Sequence, residues 1–351
     1  MTRILVTGAN GHLGSNIVRR LLRRGHEVVP FVRRTSDLRG LAGLGLSYCY
    51  GDIMDVASLR AAMAGCAVVI HTAAVYKMIA SNPEDVIQPA LTGTHNVFAA
   101  AKATNVRRIV YTSSTFAVGS STHPHMLRTA EDWNDEQHMP YTIAKVQAEK
   151  LAWRLADEMG IDMIALCPHG ILGPYDYTIT PSTELLRNLI NGSGVTTEGG
   201  VSFVDVREAA EVHAQAVDGG EVGQRYIIAG ENMTMKALGA IITRLTGIKP
   251  RHIGAGRRGM VLMAAMMELG AKLSGSEPKL TRDMARELIG RYHYYDCEKT
   301  KQTFGFAPRP TEEMVADAIR WLLLLGAIKP KAAAQFSAKL PPGPQWQVVR
   351  A

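Results

Sequence analysis

"VTGANGHLGSN" (residues 6–16) stands where an apolar run, "RILVTG", gives way to "SNIVRRLLRRG", whose apolar positions recur at helical spacing and stop at Gly25. Gly8, Gly11 and Gly14 carry no Cβ. Such residues suit a chain that must turn tightly, bring its backbone close to a phosphate, and pack a helix on a strand; the first amides of that helix then face a pyrophosphate. A lone glycine triplet is as readily a structural turn. Here the strand before it, the helix after it and the strand that follows supply the context for nucleotide binding. Gly8, Asn10, Gly11, His12, Leu13 and Gly14 are therefore expected at a nucleotide.

Outward from this turn, strand-like and helix-like segments alternate. "EVVPFVR", "LSYCYGDI", "AVVIHTAA" and "VRRIVYTSS" read as further strands, with a helix over "PEDVIQPALTGTHNVFAAAKATN". Several strands are short, wholly apolar runs, as when both faces of a parallel sheet are covered. The fold class is α/β, a doubly wound parallel sheet of Rossmann type with a smaller C-terminal substrate-binding region. Residues 1–168 are assigned to the nucleotide domain, with 202–230 returning to it in part. Residues 169–201 and 231–330 form the substrate region, and 331–351 a tail without periodicity that hugs the surface or moves freely.

The end of the second strand decides which nucleotide is bound. A ribose 2′-hydroxyl is usually held there by Asp or Glu, whereas a 2′-phosphate wants a cation. The chain reads "FVRRTSD", with Arg33 and Arg34 in place and Asp37 further on. An arginine fork matches phosphate geometry. The competing reading is a solvated basic turn. NADP is preferred to NAD.

The 351 residues are 46% hydrophobic and 20% charged, with mean hydropathy −0.01, which describes a soluble globular chain. Net charge +7 is spread thinly, without a basic run interleaved with aromatics, so no nucleic-acid partner is expected. Cys49, Cys66, Cys167 and Cys297 show neither CxxC spacing nor scaffold density, pointing to a reducing cytosol. No signal peptide is expected, since Met1 leads straight into a strand. "GMVLMAAMMELGAKL" (259–273) is too short to cross a bilayer and reads as a Met-rich buried or pocket-lining helix, with membrane contact the lesser reading. His123 and His125 lack a further ligand at metal spacing, so no metal is expected.

"YTIAK" (141–145) places Tyr141 one helical turn before Lys145. Alone, the pair is as readily an exposed neighbour contact. The glycine turn, "GDI", "TSS" and "YTIAK" occur in one order, however, and that combination resembles the extended short-chain dehydrogenase/reductase superfamily over roughly Arg3 to Leu324. The resemblance implies Ser114, Tyr141 and Lys145 as catalytic residues. It also implies cofactor contacts from Asp52, Ile53, Thr72, Ala73, Ala74, Pro168 and Ile171, with Tyr141 and Lys145 holding the cofactor too. The chemistry agrees with those residue types. A free tyrosine titrates near pH ~10, and a nearby ammonium stabilises its phenolate. Serine at a strand end can orient a substrate oxygen while tyrosine supplies the proton.

Departures within the family narrow the reading. Thr115 and Phe116 follow the serine where 4,6-dehydratases carry an Asp-Glu pair, and "CPHGILGP" (167–174) replaces the sugar-epimerase loop. "VRRTSD", "NPEDVIQPALTGT" and Pro89 resemble the dihydroflavonol-reductase-like branch, which implies NADPH-dependent reduction of a ketone or aldehyde on an apolar small molecule. The alternatives are alcohol oxidation of the 3β-hydroxysteroid dehydrogenase kind, a nucleotide-sugar epimerase, and an NADP-binding sensor without turnover. Tyr76, Thr115, Phe116 and His169 are the candidate substrate contacts, though Tyr76 and His169 are equally loop or packing residues. The resemblance further implies a cytoplasmic homodimer.

Overall fold

In the computed structural model the first strand, β1 (Arg3–Thr7), is the hub of a seven-stranded sheet. All residues are described except 74–77, 81, 279, 337–339, 345, 347, 350 and 351. The other strands are β2 (Glu27–Val32), β3 (Cys49–Tyr50), β4 (Val68–His71), β5 (Arg108–Thr112), β6 (Asp162–Pro168) and a seventh, Arg225–Ile228. All pairings are parallel, and the order runs seventh, β6, β5, β4, β1, β2, β3. The chain moves one way from β1 to β3, then returns to β4 and continues the other way. That reversal opens a crevice at the C-terminal ends of β1 and β4, where ligands of such sheets bind.

The helices on the two faces explain the all-apolar strands. On one face α1 (His12–Arg23) packs with α7 (Val206–Gln215); on the other lie α2 (Val56–Met63), α3 (Glu84–Ala103) and α5 (Pro140–Met159). Alternate β1 residues divide between them: Ile4 and Val6 join the α1 side, Leu5 the α2–α3 side. Side chains of a strand point to opposite faces in turn, so both sets must be apolar. One short helix, α4 (Thr115–Val118), follows β5 directly.

The second lobe is mainly helical, with two short strand pairs, Val195–Thr197 with Arg251–Ile253 and Gly200–Val201 with Met233–Thr234. Its core joins α6 (Pro181–Ile190), α8 (Met235–Thr246) and α12 (Thr311–Leu324), with Leu189, Ile242 and Ile319 buried between them. Helices α9 (Arg257–Ser274) and α10 (Arg282–Leu288) pack as a pair. After α6 the chain comes back to the sheet through α7, packed on α1, and the seventh strand. A second return was not anticipated. Helix α11 (Glu298–Phe304) seals the seventh strand, with Thr300 Oγ1 donating to the Ile227 carbonyl at 2.6 Å and Phe304 edge-on to Tyr226. The tail also differs from a surface strand without structure: α13 (Pro330–Phe336) buries Phe336 completely in the second lobe's core. The Met-rich stretch is helical, but only one of its faces is covered.

Candidate functional site

Gly8 follows the last residue of β1 with φ 65°, and a Cβ there would stand 2.9 Å from both Ala73 N and Thr72 Oγ1. At Gly14 a Cβ would lie 2.1 Å from the Gly8 carbonyl oxygen. Helix and turn are thus in backbone contact, which only glycine permits. Helix α1 starts after Gly11, and no side chain caps its first amides. Uncapped amides at a helix start, beside a cradle a methyl group would fill, fit a pyrophosphate. His12 turns its side chain away, its Nδ1 3.7 Å from the buried Asp176 carboxylate, so its backbone is what it offers a nucleotide. Leu13 packs half-buried on the α1 core and Asn10 is half-exposed at the turn.

At the end of β2, Arg33 and Arg34 are both exposed. The Arg34 guanidinium lies 5.2 Å from the Tyr50 ring centroid. Asp37 is engaged by Arg39 through both carboxylate oxygens, and that hydrogen bonding holds its carboxyl below the usual range. The acid nearest the ribose end is therefore neutralised while two arginines stand open. Asp52 accepts the Met54 amide at 3.0 Å. The Ile53 carbonyl accepts Asn96 Nδ2 at 3.0 Å, and its side chain lies against Gly93, where a Cβ would come within 2.6 Å. Thr72 Oγ1 donates to the Thr7 carbonyl at 2.6 Å and the Ala73 amide to Thr7 Oγ1 at 3.3 Å, tying β4's exit to β1. Ala74 and Tyr76 lie outside the described residues. Pro168 ends β6 and is buried; Ile171 follows it half-buried.

Across the crevice, β5 delivers Ser113 and Ser114. The Ser114 hydroxyl oxygen accepts the Phe116 amide at 3.2 Å and caps α4, leaving its proton to donate elsewhere. Tyr141 and Lys145 sit on α5, with Lys145 Nζ 6.0 Å from the Tyr141 ring centroid. Both are buried. Lys145 Nζ donates to the Thr112 carbonyl at 3.2 Å. Burial draws its ammonium from the ordinary 10.5 down to about 8, and the Glu149 charge one turn on opposes that fall. Glu149, wholly buried, bonds Ser113 and Trp153 and pairs with Arg225 Nε at 2.7 Å. The catalytic candidates therefore rest on a buried ion pair between α5 and the seventh strand.

Above Tyr141 the wall is apolar. Phe116 stands edge-on to its ring at 5.7 Å between centroids, and Met139 joins them, with Met78, Met284 and Leu288 packed on. Thr115 and His169, expected to meet substrate, instead bond each other (2.8 Å) and are buried. His169 stacks on His293 and packs against Phe203, Tyr295 and Phe116, so it backs the wall instead of forming it. Burial, aided by His293, keeps the His169 ring uncharged by lowering its pKa well below the ordinary value; burial brings His293 to about 4. Sequence reasoning missed Met284, Leu288, His293 and Tyr295. It also missed Glu287, whose carboxylate accepts the Met139 and His138 amides at 2.8 and 3.2 Å. No residue of α5's own entry caps that helix, and α10 supplies the acceptor. Among the described residues no group of three or more His, Cys, Asp and Glu is placed to hold a metal ion.

A family model, the NAD dependent epimerase/dehydratase family, matches residues 4–229. "Sterol demethylase protein B" of Methylococcus capsulatus is 29% identical over 339 residues, covering 92% of this chain and 99% of its own. A "Putative dihydroflavonol 4-reductase" of Synechocystis is also 29% identical, covering 92% and 95%. The crystal structure of gox2253 superposes with a TM-score of 0.83 at 31% identity, covering 94% of this chain and 100% of its own. The chain belongs to the NAD dependent epimerase/dehydratase family, among the extended short-chain dehydrogenases/reductases, and is an NAD(P)-dependent oxidoreductase.

Proposed function

We propose that the protein is an NADPH-dependent reductase of a ketone or aldehyde carried on an apolar small molecule. The observation that carries this reading is the composition of the wall around Tyr141. Tyr141 clusters with Phe116 and Met139, Met284 and Leu288 pack on that cluster, and the Ser114 hydroxyl is held at the Phe116 amide. Pockets for uncharged ligands are mostly apolar with a few placed polar groups. The preference for NADPH is supported by the two open arginines, Arg33 and Arg34, beside an Asp37 already taken by Arg39.

In this reading the glycine turn and the first amides of α1 hold the cofactor's pyrophosphate, Arg33 and Arg34 its 2′-phosphate, and Thr72, Ala73, Pro168 and Ile171 its nicotinamide half. When bound, the nicotinamide supplies a hydride to the carbonyl carbon. Ser114, its oxygen occupied by the Phe116 amide, turns its proton to the carbonyl oxygen and orients it. Tyr141 gives its proton to the same oxygen. Lys145 is cationic below about pH 8 and stabilises the charge that develops on the phenol oxygen as that proton leaves. A homodimer through α3 and α5, which pack on each other, belongs to the same proposal.

The test is NADPH consumption with hydrophobic cyclic ketones and aryl aldehydes, set against conversion of UDP- and GDP-sugars. Reduction of at least one hydrophobic carbonyl, with nucleotide sugars inert, is the expected result. Efficient sugar conversion with no carbonyl reduced would move the chain to the epimerases.

A further inference from the structure

Helix α9 is apolar on two opposite faces, and one of them is bare. Met260 and Ala264 turn inward, buried against Ala285 and Ile289, and Ala271 is buried too. Leu262, Met266, Leu269 and Leu273 follow at spacings of four, three and four on the other side, and are 65%, 61%, 61% and 82% exposed. That spacing lines them up as a single stripe. Single exposed leucines are ordinary, whereas a continuous row of large ones marks a surface that meets something. The charges beside the stripe have one sign. Arg257, Arg258 and Lys272 are exposed and have no ion-pair partner among the described residues. The helix's single acid, Glu268, is held by Arg282 at 2.7 Å.

We propose that α9 docks the protein on an anionic lipid surface. Leu262, Met266, Leu269 and Leu273 enter the boundary between headgroups and acyl chains, and Arg257, Arg258 and Lys272 meet the lipid phosphates. A helix with an apolar stripe and basic flanks lies in the plane of such an interface. No helix of the described residues is long and apolar enough to cross a membrane, so the contact is peripheral. A second copy of the chain fits the stripe less well. Four large apolar side chains on one helix are few beside the roughly 20–30 residues each partner gives to a stable interface. Antiparallel pairing of two α9 helices would also set Arg257 and Arg258 against Lys272, and parallel pairing would set the arginines against each other. Either arrangement gathers like charges.

Docking in this way puts the reactive chamber next to the lipid. Helix α10 packs on the buried side of α9 and sends Met284 and Leu288 to the wall beside Tyr141. An apolar carbonyl compound dissolved in the bilayer then needs to pass only this helix pair. This route rests on the reductase reading; the docking itself does not.

The experiment is co-sedimentation with phosphatidylcholine vesicles that contain or lack phosphatidylglycerol. It uses the full chain, Leu262→Ser/Leu269→Ser, and Arg257→Gln/Arg258→Gln, with solution mass and NADPH turnover of a water-soluble aldehyde measured for each. Every changed residue is exposed and outside the catalytic machinery, so turnover of the soluble aldehyde should be unchanged. The wild type should sediment with phosphatidylglycerol vesicles and be released by salt, with partition lowered about tenfold or more in both double variants. Turnover of a vesicle-borne carbonyl should fall in both double variants while turnover of the soluble aldehyde does not. Wild type that stays in the supernatant, or double variants that sediment equally well, would overturn the docking. So would a solution mass that halves in Leu262→Ser/Leu269→Ser, which would assign the stripe to a second copy. Vesicle binding without reduction of any carbonyl, in water or lipid, would leave the docking in place and remove the reductase reading.

Discussion

The rim proposed to face the cofactor and the wall proposed to face the substrate are built on different terms. On the cofactor side the parts touch through backbone. Gly8 lies on Thr72 and Ala73, Gly14 on the carbonyl of Gly8, and neither contact leaves room for a methyl group. Across the crevice, Lys145 is fixed by a backbone carbonyl and flanked by the Glu149–Arg225 pair. On the substrate side the contacts are between flexible side chains, Met284, Met78 and Leu288 against Phe116. Methionine and leucine exchange at small cost in a packed apolar wall, whereas a backbone contact admits almost nothing. In the proposed reading, the chemistry is held by parts that resist change, and substrate choice by parts that accept it.

The comparison breaks first, if it breaks, at Glu149. Glu149→Gln leaves Arg225 buried without its counter-charge, and a broken buried pair costs about 3–5 kcal/mol. Denaturant unfolding should show a loss of this size, and a loss below ~1 kcal/mol would make the anchored side no stiffer than the other. The same variant carries a pH signature. The folded Lys145 loses its proton near 8 while the unfolded chain keeps it to about 10.5, so between those values stability rises with pH. Activity runs the other way, because the cation is lost: kcat/KM should fall above about pH 8. Removing Glu149's charge should move that fall to lower pH.

Tyr141→Phe comes next in size. It deletes only a hydroxyl, so fold and NADPH affinity should hold while turnover drops ~100-fold or more, the lower range for loss of a general acid. Near-normal turnover would disconnect the anchored side from the chemistry. Arg33→Ala should weaken NADPH relative to NADH by roughly 1.5–3 kcal/mol, as for a lost hydrogen bond to a charged group, read by titrating both cofactors. Equal weakening of the two would remove the phosphate assignment. The smallest effect is expected on the substrate side. Met284→Ala should raise KM for an apolar carbonyl by roughly 1 kcal/mol, about fivefold, with kcat little changed, since part of an apolar contact is lost and no reacting group moves.

The same division governs what could be read before the fold was known. The places of the glycine turn, Ser114, Tyr141 and Lys145 in the fold were legible because each lies within a few residues of the strand end or helix turn that positions it. The roles of these residues, and of Arg33 and Arg34, are those proposed above; the place of the two arginines at the end of β2 was legible for the same reason. Glu287, His293 and Tyr295 were not, because they reach the site from more than 140 residues beyond Ser114, and no local spacing encodes that approach. Thr115 and His169, candidate substrate contacts by sequence, turn toward each other and are buried; adjacency in sequence says nothing of which way a side chain turns. The half-bare α9 escaped because a helix apolar all round reads as buried, and its second face is revealed only by what fails to cover it.

The seventh strand has a consequence for how the molecule is made. During synthesis β6 emerges with its outer edge open, and the strand that pairs with it, Arg225–Ile228, follows only after α6 and α7 have been added. At roughly 5–20 residues per second the nascent chain spends several seconds with an unpaired strand edge, the kind of surface that recruits other chains. Until Arg225 arrives, Glu149 lacks its ion-pair partner. The parallel sheet and its buried pair therefore close together, late, and α11 covers the joint later still. Ribosome-associated intermediates that end between Lys145 and Arg225 carry every catalytic candidate and yet lack the strand that completes them.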